Sequence, residues 1–180
     1  MPKKSKKTAN ADMLNRVEER AFELEKDYGN CSQCTLVAIQ EAFGQVDYTL
    51  AKASTLLAGG VGRMGNVCGV LTGAILAIGT MYGRDPDLLK GPAEEARKAA
   101  SSPDIAPKLC KWFEREFGSI NCRELRKSVE GTTLSREVPW EKEVLDRLDA
   151  HRHCAEMAGK TARRAVAMLN NPDLSIMDEA

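Results

Sequence analysis

The chain is poor in aromatic side chains, in histidine and in net charge. Only 5% of its 180 residues are Phe, Trp or Tyr. With its many Ala, Leu, Glu, Lys and Arg residues, this argues against sheets of aromatic and β-branched strands and in favour of helices. The 26 basic and 26 acidic side chains cancel, so no bulk field gathers nucleic acid or an anionic membrane. No nucleic-acid partner is expected. The longest apolar run, 67–82, is sixteen residues between Arg63 and Arg84, too short to cross a bilayer, so no membrane insertion is expected. The basic start, Met1 to Lys7, is followed by no apolar segment of the kind a secretory signal needs, and a cytoplasmic location is the expectation. With two histidines and carboxylates spread over solvated helix faces, no acid–base pair for hydrolysis is legible.

What is present is helical patterning almost throughout. The expected fold is all-α, a compact multi-helix bundle around the apolar central helix at 67–82. One helical domain spans 12–170, between a disordered basic tail, 1–11, and a C-terminal tail, 171–180. Asp12 starts a first helix that Gly29 stops, Asn30 caps a second, and Asp47 caps a third over 48–58. A proline-punctuated stretch, 84–107, reads as a surface excursion without chemistry. Helical patterning resumes over 105–117, Asn121 caps a short helix over 122–127, and 128–138 reads as a loop. Pro139 opens a long helix reaching Leu169. Gly69 and Gly73, with Ala77, put small residues on one face of the apolar helix, where another backbone or a cofactor can come close. Such faces also allow a homodimer.

Six cysteines are the strongest chemical signal. In a reducing compartment they stay thiols unless they bind metal or cycle catalytically, so structural disulfides are the weakest reading. Cys31 follows Asn30, Cys68 follows a glycine-rich loop, and Cys122 follows Asn121, which places three of them in first turns of expected helices. Unpaired amides and the positive end of the helix dipole favour a thiolate there, for nucleophiles and metal ligands alike. Cys31-Ser32-Gln33-Cys34 has the spacing of redox pairs and zinc knuckles, but lacks both the βαβ context and the second ligand pair those need. Cys34 reads more simply as core.

The loop Gly60-Val61-Gly62-Arg63-Met64-Gly65 matches GxGxxG but follows a helix pattern rather than a strand, which removes dinucleotide binding. Its glycines instead let backbone amides approach an anionic centre near Cys68, so Gly62, Gly65 and Gly69 are candidate cofactor-binding positions. His151 and His153 point about 200° apart on a helix and cannot both face one centre; His153, beside Cys154, is the one of the two that could. Trp112 and Trp140 read as core anchors.

The series Asn30-Cys31 with Gln33, the glycine loop with Cys68-Gly69-Val70-Leu71-Thr72-Gly73-Ala74, Phe117-Gly118 with Cys122-Arg123-Glu124-Leu125, and then Cys154 resembles the C_GCAxxG_C_C family of redox-active proteins. The resemblance covers about 28–159, with Val70 where the family has Ala. It implies that Cys31, Cys68, Cys122 and Cys154 are the functional cysteines and that Cys34 and Cys110 are extras. The family is similar to the iron–sulfur part of split-Soret cytochromes, so the resemblance also implies an iron–sulfur cluster, 2Fe–2S or 4Fe–4S, and a redox partner protein. Ligands so far apart in sequence must be gathered by the tertiary fold, unlike those of a zinc finger. A thiol–disulfide oxidoreductase or redox sensor using the same cysteines, and a structural zinc site in an interaction module, stand as alternatives.

Overall fold

A helix that is apolar on every side must be covered on every side, and this dictates where 67–82 goes. The computed structural model describes residues 11–98, 104–131, 134 and 138–174, without the side chains of 96–98. The expected N-terminal tail, except Ala11, and positions 175–180 of the C-terminal tail lie outside the described residues. The apolar segment forms helix α4, Gly69–Tyr82, with Val70, Leu71 and Ala74 fully buried. It is covered by α2, Cys31–Ala42, by α9, Ala150–Asn170, and by α6, Ile105–Phe117. The first helix, α1, Ala11–Tyr28, lies along α9 and α2. Among the described residues every regular element is a helix, apart from one isolated β-bridge. The all-α bundle around an apolar helix is therefore the fold adopted.

Small residues set the spacing. A Cβ at Gly73 would run into the backbone carbonyl of Ser32, so α2 and α4 touch backbone to backbone. A Cβ at Gly159 would meet the Glu18 carbonyl at 2.8 Å, and α9 presents buried Ala158, Ala162 and Ala165. The small-residue face of α4 is thus filled from within the chain.

Caps follow the sequence closely in the N-terminal half. Asn30 Oδ1 accepts the Gln33 amide, and Asp47 Oδ1 accepts the Leu50 amide at the start of α3, Tyr48–Ser54. A 3₁₀ turn, Thr55–Leu57, completes the third expected helix. In the excursion, a 3₁₀ turn, Pro86–Lys90, and a short α5, Ala93–Lys98, are exposed where described, apart from half-buried Leu88.

Four expectations need correction. The short helix is longer: α7 runs Cys122–Glu130 and stops at Gly131, whose φ is 70°. Its N-cap residue Asn121 makes no side-chain cap; the Asn121 amide is instead accepted by Ser119 Oγ at 3.0 Å. The long final helix is two, α8, Pro139–Arg147, and α9, divided at Leu148 and Asp149, which is left-handed with φ 47°. Short polar Asp tolerates that conformation, so the chain turns without the Gly or Pro that would have marked the break. Trp140 is 61% exposed and anchors no core. Trp112 does pack against the core, edge-on to Phe117 and with the Arg164 guanidinium 5.6 Å above its ring.

Candidate functional site

Each cysteine is placed by a local device. Cys31 begins α2 behind the Asn30 cap, and the Asn30 amide side chain ties that start to the Thr55 carbonyl. Cys68 is the N-cap of α4 rather than a member of its first turn. Cys122 opens α7, and Cys154 lies in the second turn of α9, because the break at Asp149 starts that helix four residues earlier. Cys68 and Cys122 are joined by the isolated bridge between Val67 and Asn121. Across it the Cys68 amide donates to the Ile120 carbonyl at 2.8 Å and the Cys122 amide to the Asn66 carbonyl at 2.7 Å. The glycine loop makes this possible. A Cβ on Gly60, at φ 78°, would sit 2.5 Å from the Asn66 nitrogen, so only glycine lets the loop fold back on itself there.

The result is one small cavity of about 20 Å³, lined by Cys31, Cys68, Cys122 and Cys154 together with Val70, Leu125, Arg126, Glu130, His153 and Met157, among others. Its exposed lining is almost wholly apolar, and its size is about that needed for one water-sized occupant. Cys34 and Cys110 are not part of it: Cys34 is a buried core residue, as expected, and Cys110 packs at the core's edge. His153 lines the cavity while His151 turns away, its Nε2 3.4 Å from Glu25 Oε1. The two imidazoles do diverge. Gly69 is essential to the geometry, since a Cβ there would collide with Cys31 Sγ. Gly65 faces Arg123, with its Cβ position 3.0 Å from that side chain, and Gly62 faces open space; both have positive φ and neither lines the cavity. Val70, the departure from the family motif, is fully buried against it.

Burial outweighs the helix starts in setting thiol acidity. It pushes Cys31 up to about 12, helped by the charge of Glu25, while amides of Gly59 and Ser32 pull the other way. Cys68 is driven well above the ordinary thiol range by burial and by like charge on Cys31 and Cys122, against the amides of Val70 and Leu71. Cys154 is raised strongly for the same reasons, and Cys122 is raised by burial, with Arg126 opposing. The expectation of easily ionised thiolates is therefore corrected. The amide donors are where helix starts should put them, but desolvation costs more than they return. In the metal-free protein these are neutral thiols at neutral pH.

Two acidic residues escaped the sequence reading. Glu25 is 3% exposed and its Oε2 has no hydrogen-bond partner. It stands four residues after Ala21 and eight after Val17 on the buried stripe of α1, a periodic position where a carboxylate is out of place and could have been noticed. Glu130 pairs with Arg126 at 2.8 Å and accepts the Leu134 amide at 3.1 Å, while Arg126 also donates to the Leu134 carbonyl. Leu134, Leu145 and Ala150 form a small separate apolar cluster, and Ala150 also lines the cavity. This pair lay in a stretch read as helix end and loop, with no signal beyond an i, i+4 spacing.

Four thiols sharing one space fit soft cations and iron–sulfur clusters in donor type, while the cavity as packed is the size of one water and would have to widen around a cluster. Among the described residues no three His, Cys, Asp or Glu side chains are close enough to hold a single ion as they stand. The set converges without forming a finished ion cage. None of the helices, among the described residues, is long and apolar enough to cross a membrane. A family model described as "Putative redox-active protein (C_GCAxxG_C_C)" matches residues 29–168. Comparison with curated proteins and with solved structures finds no match.

Proposed function

Since the chain belongs to the C_GCAxxG_C_C family of redox-active proteins, we propose that it binds one iron–sulfur cluster through Cys31, Cys68, Cys122 and Cys154 and passes electrons to a partner protein. The observation that carries this reading is the convergence of these four thiols, from four separate elements, on one apolar cavity. The cluster, 2Fe–2S or 4Fe–4S, would supply a one-electron couple. The chain's own groups supply the rest. Helix starts at α2 and α4 direct the amides of Ser32, Val70 and Leu71 toward the sulfurs, which offsets the charge of thiolates held out of water and raises the potential of whatever they bind. Arg126 beside Cys122 adds a cation on the opposite side. Burial limits water at the sulfurs, with Cys68 and Cys122 buried and Cys31 and Cys154 half-buried.

Thiol–disulfide exchange by the same cysteines is less well supported. It needs an accessible, acidic thiol, whereas Cys34 is buried and pushed up to about 11, and Cys31 to about 12. A structural zinc site shares the donor set but carries no electron.

The test is spectroscopic. Protein purified without oxygen is expected to absorb in the visible, to bleach on reduction, to give a paramagnetic signal in one of its two oxidation states, and to recover on reoxidation. A colourless protein holding zinc would replace this reading with the structural one.

A further inference from the structure

The glycine loop ends in an exposed apolar tip. Leu56 is 76%, Met64 64% and Val61 43% exposed, and they are tied into one tight turn: the Gly62 amide donates to the Leu56 carbonyl at 2.7 Å and the Met64 amide to the Val61 carbonyl at 3.2 Å. Val61 is left-handed, with φ 58°. A β-branched residue is strained in that conformation, in a loop whose neighbours at 59, 60, 62 and 65 are all glycine. Val61 gains no core burial in return. The strain is explained if its side chain is wanted at the surface.

Two arginines stand at its rim. Exposed Arg63 lies within the loop itself, where positions 56–66 carry no Asp or Glu. Exposed Arg123 flanks the tip from α7, its guanidinium donating to the Met64 carbonyl at 3.1 Å. The tip also lies close to the thiols: the Gly59 amide bonds Cys31, and Ala58 and Cys31 Sγ both press on Gly69. Electron-transfer rates fall steeply with distance, so a partner docked here would stand close to Cys31.

We propose that this tip, with Leu56, Val61 and Met64 at its centre and Arg63 and Arg123 at its rim, docks an electron-carrier protein that presents an acidic face around an apolar patch. The class of partner rests on the electron-transfer reading above. The small apolar centre with a charged rim suits a weak, fast, salt-sensitive encounter.

The test uses the full-length, anaerobically purified protein, labelled with ¹⁵N, and an oxidised acidic flavodoxin as the probe, with a basic cytochrome c as the control. The amides of 56–66 are expected to shift with flavodoxin and not with the cytochrome, and the shifts should weaken as salt rises. Leu56→Ser with Met64→Ser should weaken binding about 10-fold, and Val61→Gly about 3-fold. Val61→Gly should also leave the thermal midpoint unchanged or higher, because glycine relieves the left-handed strain. Shifts elsewhere, shifts that track dilution as self-association would, or full affinity in all three substitutions would each overturn the proposal. Shifts at the tip in a protein without a reversible couple would support the docking surface and remove the electron-transfer reading; a reversible couple with a silent tip would do the opposite.

Discussion

On one side of the cavity, Cys31 and Cys68 stand on helices whose backbones meet through glycine. On the other, Cys122 and Cys154 stand among Arg126, Glu130 and His153. The first wall is tight and apolar: Gly69 lies against Cys31 Sγ and Gly73 against the Ser32 carbonyl. The second is polar and held by side chains, with the Arg126–Glu130 pair fastening the backbone at Leu134. The contrast assigns different work to each. Backbone packing fixes two sulfurs with little room to adjust, while an ion pair and a small, separate apolar cluster close the opposite side.

The largest effect should come from the sulfurs on both walls. Cys31→Ser and Cys122→Ser are each expected to lower retained metal by at least about 10-fold, since loss of an outer-shell partner alone costs 10–100-fold; metal analysis of the purified variants checks this. The tight wall is tested by Gly69→Ala, where overpacking should cost about 1–3 kcal/mol and displace Cys31. Gly79→Ala, on the same helix but with nothing within 4 Å of the new carbon, should instead stabilise by about 0.5–1 kcal/mol. Equal denaturation midpoints for the two would contradict the tight-wall account.

Next comes pH, which acts on both walls at once. Burial raises the thiols of both walls, Cys31 to about 12 on one side and Cys122 and Cys154 on the other, along with Cys34 in the core to about 11, above their value in the unfolded chain. The metal-free folded state therefore keeps protons that the unfolded state has released. Its stability is full below about pH 8.5 and declines as pH rises toward the folded values, by up to about 1.4 kcal/mol per pH unit for each such thiol. Denaturation of the metal-free protein under reducing conditions at about pH 8 and about pH 10 should show this slope, and the metal-loaded protein, with thiolates already formed, should show less of it.

Glu130→Gln addresses the polar wall. Its side chain is 3% exposed and that of its partner Arg126 is 30% exposed, so water repays part of the loss, and about 1–2 kcal/mol is expected in place of the full cost of a broken buried pair. Chelator should then strip metal faster, with the spectrum unchanged. Smallest of all, Trp140→Ala should move stability by no more than about 0.5 kcal/mol, as an exposed surface substitution does.

The two walls also differed in how far the sequence revealed them. The tight wall was legible: Asn30 caps, glycine spacing and the apolar run place α2 and α4, and the small residues at 69 and 73 announce the close approach. The polar wall was not. Asp149 bends the chain without Gly or Pro, so α8 and α9 read as one helix, and Glu130 falls in the stretch 128–138 that reads as a loop. The bridge between Val67 and Asn121 is a tertiary contact with no local pattern. Thiol acidity was misjudged for a related reason: helix starts are visible in sequence, but the depth of burial that outweighs them exists only in the packed fold. Trp140 failed on the same ground.

Iron and acid-labile sulfide per chain, measured in anaerobically purified protein and in six single Cys→Ser substitutions, test the four-sulfur site most directly. Equal iron and sulfide are expected in the parent and in Cys34→Ser and Cys110→Ser, with both lost together at positions 31, 68, 122 and 154. An iron-free parent, or a Cys34→Ser protein as empty as Cys31→Ser, would contradict a cluster held by those four thiols.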